Sequence, residues 1–253
     1  MLRVYLAGEL CLEADHMYLH EQAFPSRQSR YAFAYLALER HRAVPRDELC
    51  EALWPEGDPP ASRDVSLSAV MSKVRSVLER VGLARAESIA SAFGSYQLRL
   101  PPGSWVDVEA AMGHVHEAEG ALLVGDMARA YMPAVLAKAI LRRPFLQDAD
   151  VGWARRRRAA LQAALLRATD VLVHCLEWNR ELALAIQNAE QAIDIDPLRE
   201  EGYRQLMRLH QRAGNRADAL SAYHRCRSRL ADELGVSPSP ETETLYLQLL
   251  GEA

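Results

Sequence analysis

The 253-residue chain has no GxxxxGK[ST] phosphate loop, no GxSxG nucleophile elbow and no HExxH pair. These are the compact arrangements that cradle phosphates, present a serine nucleophile or bind catalytic zinc. Its acids are scattered along helical faces, where salt-laced solvated surfaces are the ordinary outcome. The chain is therefore read as non-enzymatic, with no cofactor. Cys11, Cys50, Cys175 and Cys226 lie far apart and form no CxxC. That spacing points to buried free thiols rather than a disulfide framework or a metal site. His114 and His116 are the closest histidine pair, but an i, i+2 spacing on a helix puts them on different faces. No apolar run approaches the roughly 18 residues of a membrane span. The start, MLRVYLAGELCLEADH, meets acids too soon for a signal peptide. The expected setting is cytoplasmic, away from membranes. Lysine is also scarce: it occurs only at Lys73 and Lys138, so arginine supplies the rest of the 30 basic residues.

The net charge of −4 excludes broad, sequence-blind attraction to nucleic acid. Its distribution is uneven. Residues 60–105 carry six basic residues against three acids, the one positive stretch in an otherwise acidic chain. A chain of this length suits two domains of about 100–150 residues each. The sequence PPGS at 101–104 breaks the periodic pattern and marks the expected boundary, giving domains 1–103 and 104–253.

In the first domain, Leu2, Val4, Leu6, Leu10, Leu12 and Leu19 alternate as in short antiparallel strands with one buried face. SRQSRYAFAYLALERH reads as a helix. VPRDELCEALWP reads as a short second helix, with Pro45 suited to its first position and Pro55 ending it. Residues 56–61 read as a loop. A third helix runs over about 62–81: Leu67, Val70, Met71, Val74, Val77, Leu78 and Val81 recur at three- and four-residue steps. Its other side, with Ser68, Ser72, Lys73, Arg75, Ser76 and Arg80, is small, hydroxylated and mildly basic. ESIASAFGSYQLRL then reads as two strands around a turn at 93–95. Strands, three helices and a hairpin are the parts of a winged helix-turn-helix, whose last helix offers its free face to the major groove.

Everything after residue 104 reads helical. NRELALA at 179–185 recurs as NRADALS at 215–221, an offset of 36 residues, and GDMARA at 125–130 is a third such turn and helix start. A period near 34 residues with alanine at fixed positions is a tetratricopeptide-like signature, and Pro197 matches the closing proline. The fold class is thus an α+β winged helix-turn-helix followed by an all-α tetratricopeptide-like domain.

DELCEALWPEGDPPASRDVSLSAVMSKVRSVL resembles the winged-helix segment of the Streptomyces antibiotic regulatory proteins. AEQAIDIDPLREEGYRQLMRLHQRAGNRADALSAYHRCRSRLADELGVSPSPETETLYLQL resembles their bacterial transcriptional activator domain. The resemblance implies an OmpR-type DNA-binding domain fused to an activator domain. It also implies binding to direct repeats in promoter DNA, self-association on DNA as a dimer, and contact with RNA polymerase. By position it implies groove-facing Ser66, Ala69, Ser72, Lys73 and Ser76. Arg63, Arg75 and the ring N–H of Trp54 would lie near phosphates, with Ser95 and Tyr96 on the wing. The family carries more Arg and polar amides around Val65, Ser68 and Ser76; fewer cations here imply fewer released counterions.

Each of these residues also has a plain structural role open to it. Lys73 and Arg75 fit a solvated helix face, Trp54 fits a core cap and Tyr96 fits core packing. Arg155, Arg156, Arg157 and Arg158 point around most of a helical turn and cannot share one face. They read either as a solvated helix start with packed stems or, with Trp153, as a site for an anion or small-molecule effector. The alternative to a DNA-binding activator is a tetratricopeptide-type interaction or ligand-sensing protein whose winged helix binds a protein.

Overall fold

A computed structural model of the chain describes residues 1–15, 17–54 and 62–251. Pro55 and the 56–61 loop lie outside the described residues. The chain divides into two compact units, Met1–Ala111 with Ile140–Leu161, and Met112–Ala139 with Gln162–Ala253.

The first unit opens with β1 (Leu2–Tyr5), β2 (Cys11–Ala14) and β3 (Met17–His20), an antiparallel meander in the register Val4↔Leu12 and Leu12↔Leu19. The alternating leucines and Val4 are buried. Helix α1 (Arg27–Leu38) starts on a reciprocal capping pair: the Ser29 N–H donates to Ser26 Oγ at 3.2 Å, and the Ser26 N–H donates to Ser29 Oγ at 3.1 Å. Two of the four unsatisfied donors at a helix start are commonly met this way. Next come β4 (Val44–Pro45) and α2 (Arg46–Leu53). Pro45 therefore lies one residue before the helix, not at its first position. It is held extended because Val44 and Pro45 pair with Tyr96 and Ser95.

Helix α3 (Arg63–Arg80) is followed by the single turn α4 (Arg85–Ser88) and the hairpin β5 (Ile89–Ala92) and β6 (Ser95–Leu98). With β4 the hairpin makes a three-stranded sheet in the order β4-β6-β5. The chain then returns to its first sheet: β7 (Trp105–Val106) lies parallel to β1. Asp107 follows at once, fully buried, accepting N–H groups from Leu6, Ala7 and Val108 at 2.9, 2.9 and 2.7 Å. Burial pushes its carboxyl above the ordinary range, against the lowering effect of those three donors.

The remaining helices are α5 (Asp107–Leu123), α6 (Met127–Leu141), α7 (Gly152–Trp178), α8 (Leu182–Ile195), α9 (Glu200–Arg212), α10 (Arg216–Leu234) and α11 (Pro240–Gly251). By length and composition α7 is long and apolar enough to span a membrane, which corrects the reading of the sequence as lacking such a run. Half of its apolar window is buried.

The second unit repeats one turn three times. Gly125, Arg180 and Gly214 have φ of 77°, 64° and 77°. After each, the next N–H closes back onto the preceding helix: Asp126 to Ala121 O, Glu181 to Leu176 O, and Asn215 to His210 O, at 2.9, 2.9 and 2.8 Å. Ala130, Ala185 and Ala219 occupy the same place in the following helices and are all fully buried. The last two copies are therefore 34 residues apart, and the 36-residue match of Asn179 with Asn215 is out of register by two. The left-handed residue sets the register, and in the middle copy that residue is Arg180 rather than glycine.

The ELGVSPSPET stretch is anchored by Glu200. Its carboxylate accepts the Ser239 N–H at 2.9 Å, the Ser239 hydroxyl at 2.7 Å and the Thr242 hydroxyl at 2.5 Å. Burial alone would raise its pKa, but the Thr242 and Ser239 hydrogen bonds bring it below the ordinary 4.5. The stabilisation is therefore complete above that value and is lost as pH falls through the folded value. We expect Glu200→Gln to cost about 2 kcal/mol at neutral pH, since charge-assisted bonds become neutral ones. The gap from wild type should close in acid. Thermal melts stepped down from pH 7 that leave the gap unchanged at the lowest pH where both proteins still fold would rule out the carboxylate as the anchor.

Candidate nucleic-acid interface

Helix α3 begins where the Ser62 hydroxyl accepts the Val65 N–H at 3.4 Å, the ordinary role of serine at a helix start. Leu67, Val70, Met71, Val74, Val77 and Leu78 are buried on one stripe. Ala69, Ser72, Lys73 and Arg80 are exposed on the opposite side, with Arg63 at the first turn and Ser66 and Ser76 half-buried. The face is small enough to let the helix backbone approach a flat surface closely.

The two acids of α3 are both met by arginines from outside the helix. Arg46, at the start of α2, pairs with Asp64 at 3.1 Å and donates to Ser68 Oγ at 3.3 Å. Arg85, in α4, pairs with Glu79 at 3.4 Å, and it donates to Ser76 Oγ at 2.6 Å and Ser72 Oγ at 2.8 Å. Lys73 has no ion-pair partner among the described residues. Arg46 and Arg85 escape the sequence pattern because neither shares the period of α3. Arg85 also bonds to the Ser72 and Ser76 hydroxyls, so a guanidinium stands beside them on this face.

Arg75 has a different employment. It is half-buried and donates to the Ile89 carbonyl at 3.0 Å, a strut from α3 to β5. Tyr96 is 3% exposed, with the Arg46 guanidinium over its ring at 5.4 Å. It is a core residue of the hairpin, and its ring is not offered at the surface. Ser95 is half-buried at the wing turn, and Trp54 is half-buried at the end of α2. At the wing tip Phe93 and Gly94 both have positive φ, 48° and 70°, between the paired residues Ala92 and Ser95.

The Arg155–Arg158 run does not converge. Arg155 pairs with Asp150 at 3.5 Å and Arg157 with Glu39 at 3.5 Å. Arg158 donates to the Leu146 and Ala149 carbonyls at 2.7 and 3.0 Å. Arg156 is exposed beside a cleft of about 470 Å³ lined also by Tyr35, Glu48, Glu51 and Trp153. Trp153 is buried, and its indole N–H donates to the Ala52 carbonyl at 3.0 Å, so it serves packing. Glu48 in that cleft is held low by the Arg42 guanidinium and the Tyr35 hydroxyl, and a charged carboxylate disfavours an anion there. Among the described residues no cluster of His, Cys, Asp and Glu could hold a metal. All four cysteines are buried free thiols, and burial pushes Cys226 to about 11.

Residues 106–250 match the bacterial transcriptional activator domain family. The chain is 33% identical to the transcriptional regulator RedD of Streptomyces coelicolor, over 88% of this chain and 64% of that protein. It is 30% identical to the regulatory protein AfsR of the same organism, over 89% of this chain and 22% of that protein. The solved structure of Mycobacterium tuberculosis EmbR, in complex with a low-affinity phosphopeptide, matches with a TM-score of 0.87 at 26% identity, covering 98% of this chain and 65% of that one. The chain thus spans less than two thirds of each of these relatives. RedD and AfsR are regulators, and the chain shares the architecture of the EmbR structure, a winged helix-turn-helix followed by a tetratricopeptide-like helical region. It belongs to the Streptomyces antibiotic regulatory protein family of transcriptional regulators, with its bacterial transcriptional activator domain at residues 106–250.

Proposed function

We propose that the chain is a sequence-specific DNA-binding transcriptional activator. Helix α3 enters the major groove through Ser66 and Ala69, while Lys73 and the Arg85 guanidinium seated on Ser72 and Ser76 reach phosphates at the groove edge. Arg63 and Arg80 lie towards the phosphates, and Ser95 on the wing fixes register. The observation that carries this reading is the charge arrangement of α3: both acids are paired from outside while Lys73 stays exposed. A cationic, small-residue helix face fits base edges and phosphates together. Binding to promoter direct repeats, self-association on DNA and contact of the 104–253 helical domain with RNA polymerase accord with the family membership.

The test is a duplex selected from a random pool by the full chain, followed by titration of its affinity against salt. We expect specific binding with a log–log slope of about −3 to −5 per protomer, from three to five phosphate contacts. A flat slope, or no duplex enriched, would reject the DNA reading and favour a winged helix that binds protein.

A further inference from the structure

The wing tip carries a residue that folding does not explain. Ala92 and Ser95 close a two-residue turn, and such turns with positive φ at both positions select Asn, Asp or Gly. Phe93 sits there with φ of 48°, a conformation disfavoured for a bulky side chain. Its side chain is fully exposed, at 105%, so the ring gains no burial in return. Local conformation and solvation both oppose phenylalanine at this position, and strain of this kind points to a use outside folding.

The tip is held towards α3. The Arg46 N–H donates to the Gly94 carbonyl at 3.0 Å, and the Arg46 guanidinium reaches Ser68 of α3. At the other end of the hairpin Arg75 ties Ile89 to α3. Residues 88–106 contain no acid and one base, Arg99, and Ser91, Ala92 and Gly94 beside the ring are small and exposed. A slim, acid-free hairpin ending in a fixed apolar ring suits the minor groove of a duplex whose major groove holds α3. We infer that Phe93 is a wedge that enters the minor groove there and partly unstacks one base step. In this way the wing reads the deformability of the DNA and not its base edges. This rests on the DNA reading of α3.

The test uses the full chain, the selected duplex and 2-aminopurine placed at successive steps on the wing side. Wild type should raise the emission at one step and bend the duplex in circularly permuted fragments. Phe93→Asn should bind about tenfold more weakly, the scale of one lost aromatic–base contact. It should also lose the emission and the bend, keep the salt slope and melt at a higher temperature. Phe93→Leu, still apolar, should retain most of the bend. If Phe93→Asn binds and bends as wild type does, the wedge is overturned and the ring is left to a protein partner. If wild type selects no duplex, the DNA reading itself has failed, and the wedge with it.

Discussion

The double replacement Lys73→Ala/Arg85→Ala weakens binding to the selected duplex on the order of a hundredfold and reduces the salt slope by about two. Lys73 is an exposed cation on the helix face, and Arg85 is the cation delivered onto that face by α4. Each single replacement should account for about tenfold and one unit of slope, and the double variant reads whether the two losses add, since Arg85 bonds to Ser72 next to Lys73. Arg75→Ala would mislead here. Its guanidinium holds the Ile89 carbonyl, so that variant should loosen the wing and lower the melting temperature as well as the affinity. In the Lys73 and Arg85 variants the melting temperature should stay within about 2 °C of wild type, as for most exposed surface changes. A double variant that binds with unchanged affinity and slope would remove α3 from the interface.

The helices were legible because their burial follows a local period. The α3 stripe from Leu67 to Leu78 and the buried alanines at 185 and 219 obey the helical repeat whatever the rest of the chain does. What stayed hidden depends on long-range pairing. β4 is two residues, too short to alternate, and exists because Val44 meets Tyr96. Tyr96 looked available at the wing because a two-residue period does not say which face the Arg46 guanidinium covers. Arg46 and Arg85 stand 18 and 6 residues from the acids they neutralise, and no helical spacing connects them. The repeat register slipped because the eye follows the asparagines, whereas the backbone follows the left-handed residue. Arg180 fills that place without the glycine that marks the other two copies. In the Arg155–Arg158 run, the sequence shows that the side chains diverge but not that Trp153 spends its N–H on Ala52.

Asp107 is the sharpest instance of a residue whose sequence position conceals its load. In the sequence it is an acid in the first turn of a helix, worth a fraction of a kcal/mol there. In the fold it is fully buried and holds the N–H groups of Leu6 and Ala7, about a hundred residues away, as well as that of Val108. The first two lie just past β1, where the chain leaves the sheet that β7 rejoins. Asp107→Ala strips the partner from all three donors, and a buried donor without a partner forfeits its full desolvation cost. The expected loss is about 4 kcal/mol, or a fall in melting temperature of about 10 °C. Asp107→Asn gives a graded check. Oδ1 accepts from Leu6 and Val108, so an amide can keep both of these bonds, while its NH2 would face the Ala7 N–H in place of Oδ2. The asparagine variant should therefore lose about half as much as the alanine variant. Denaturant melts of the three proteins decide the matter. A fall of less than about 3 °C for Asp107→Ala, or an asparagine variant as damaged as the alanine one, would show that the carboxylate does not clasp the first sheet in this way.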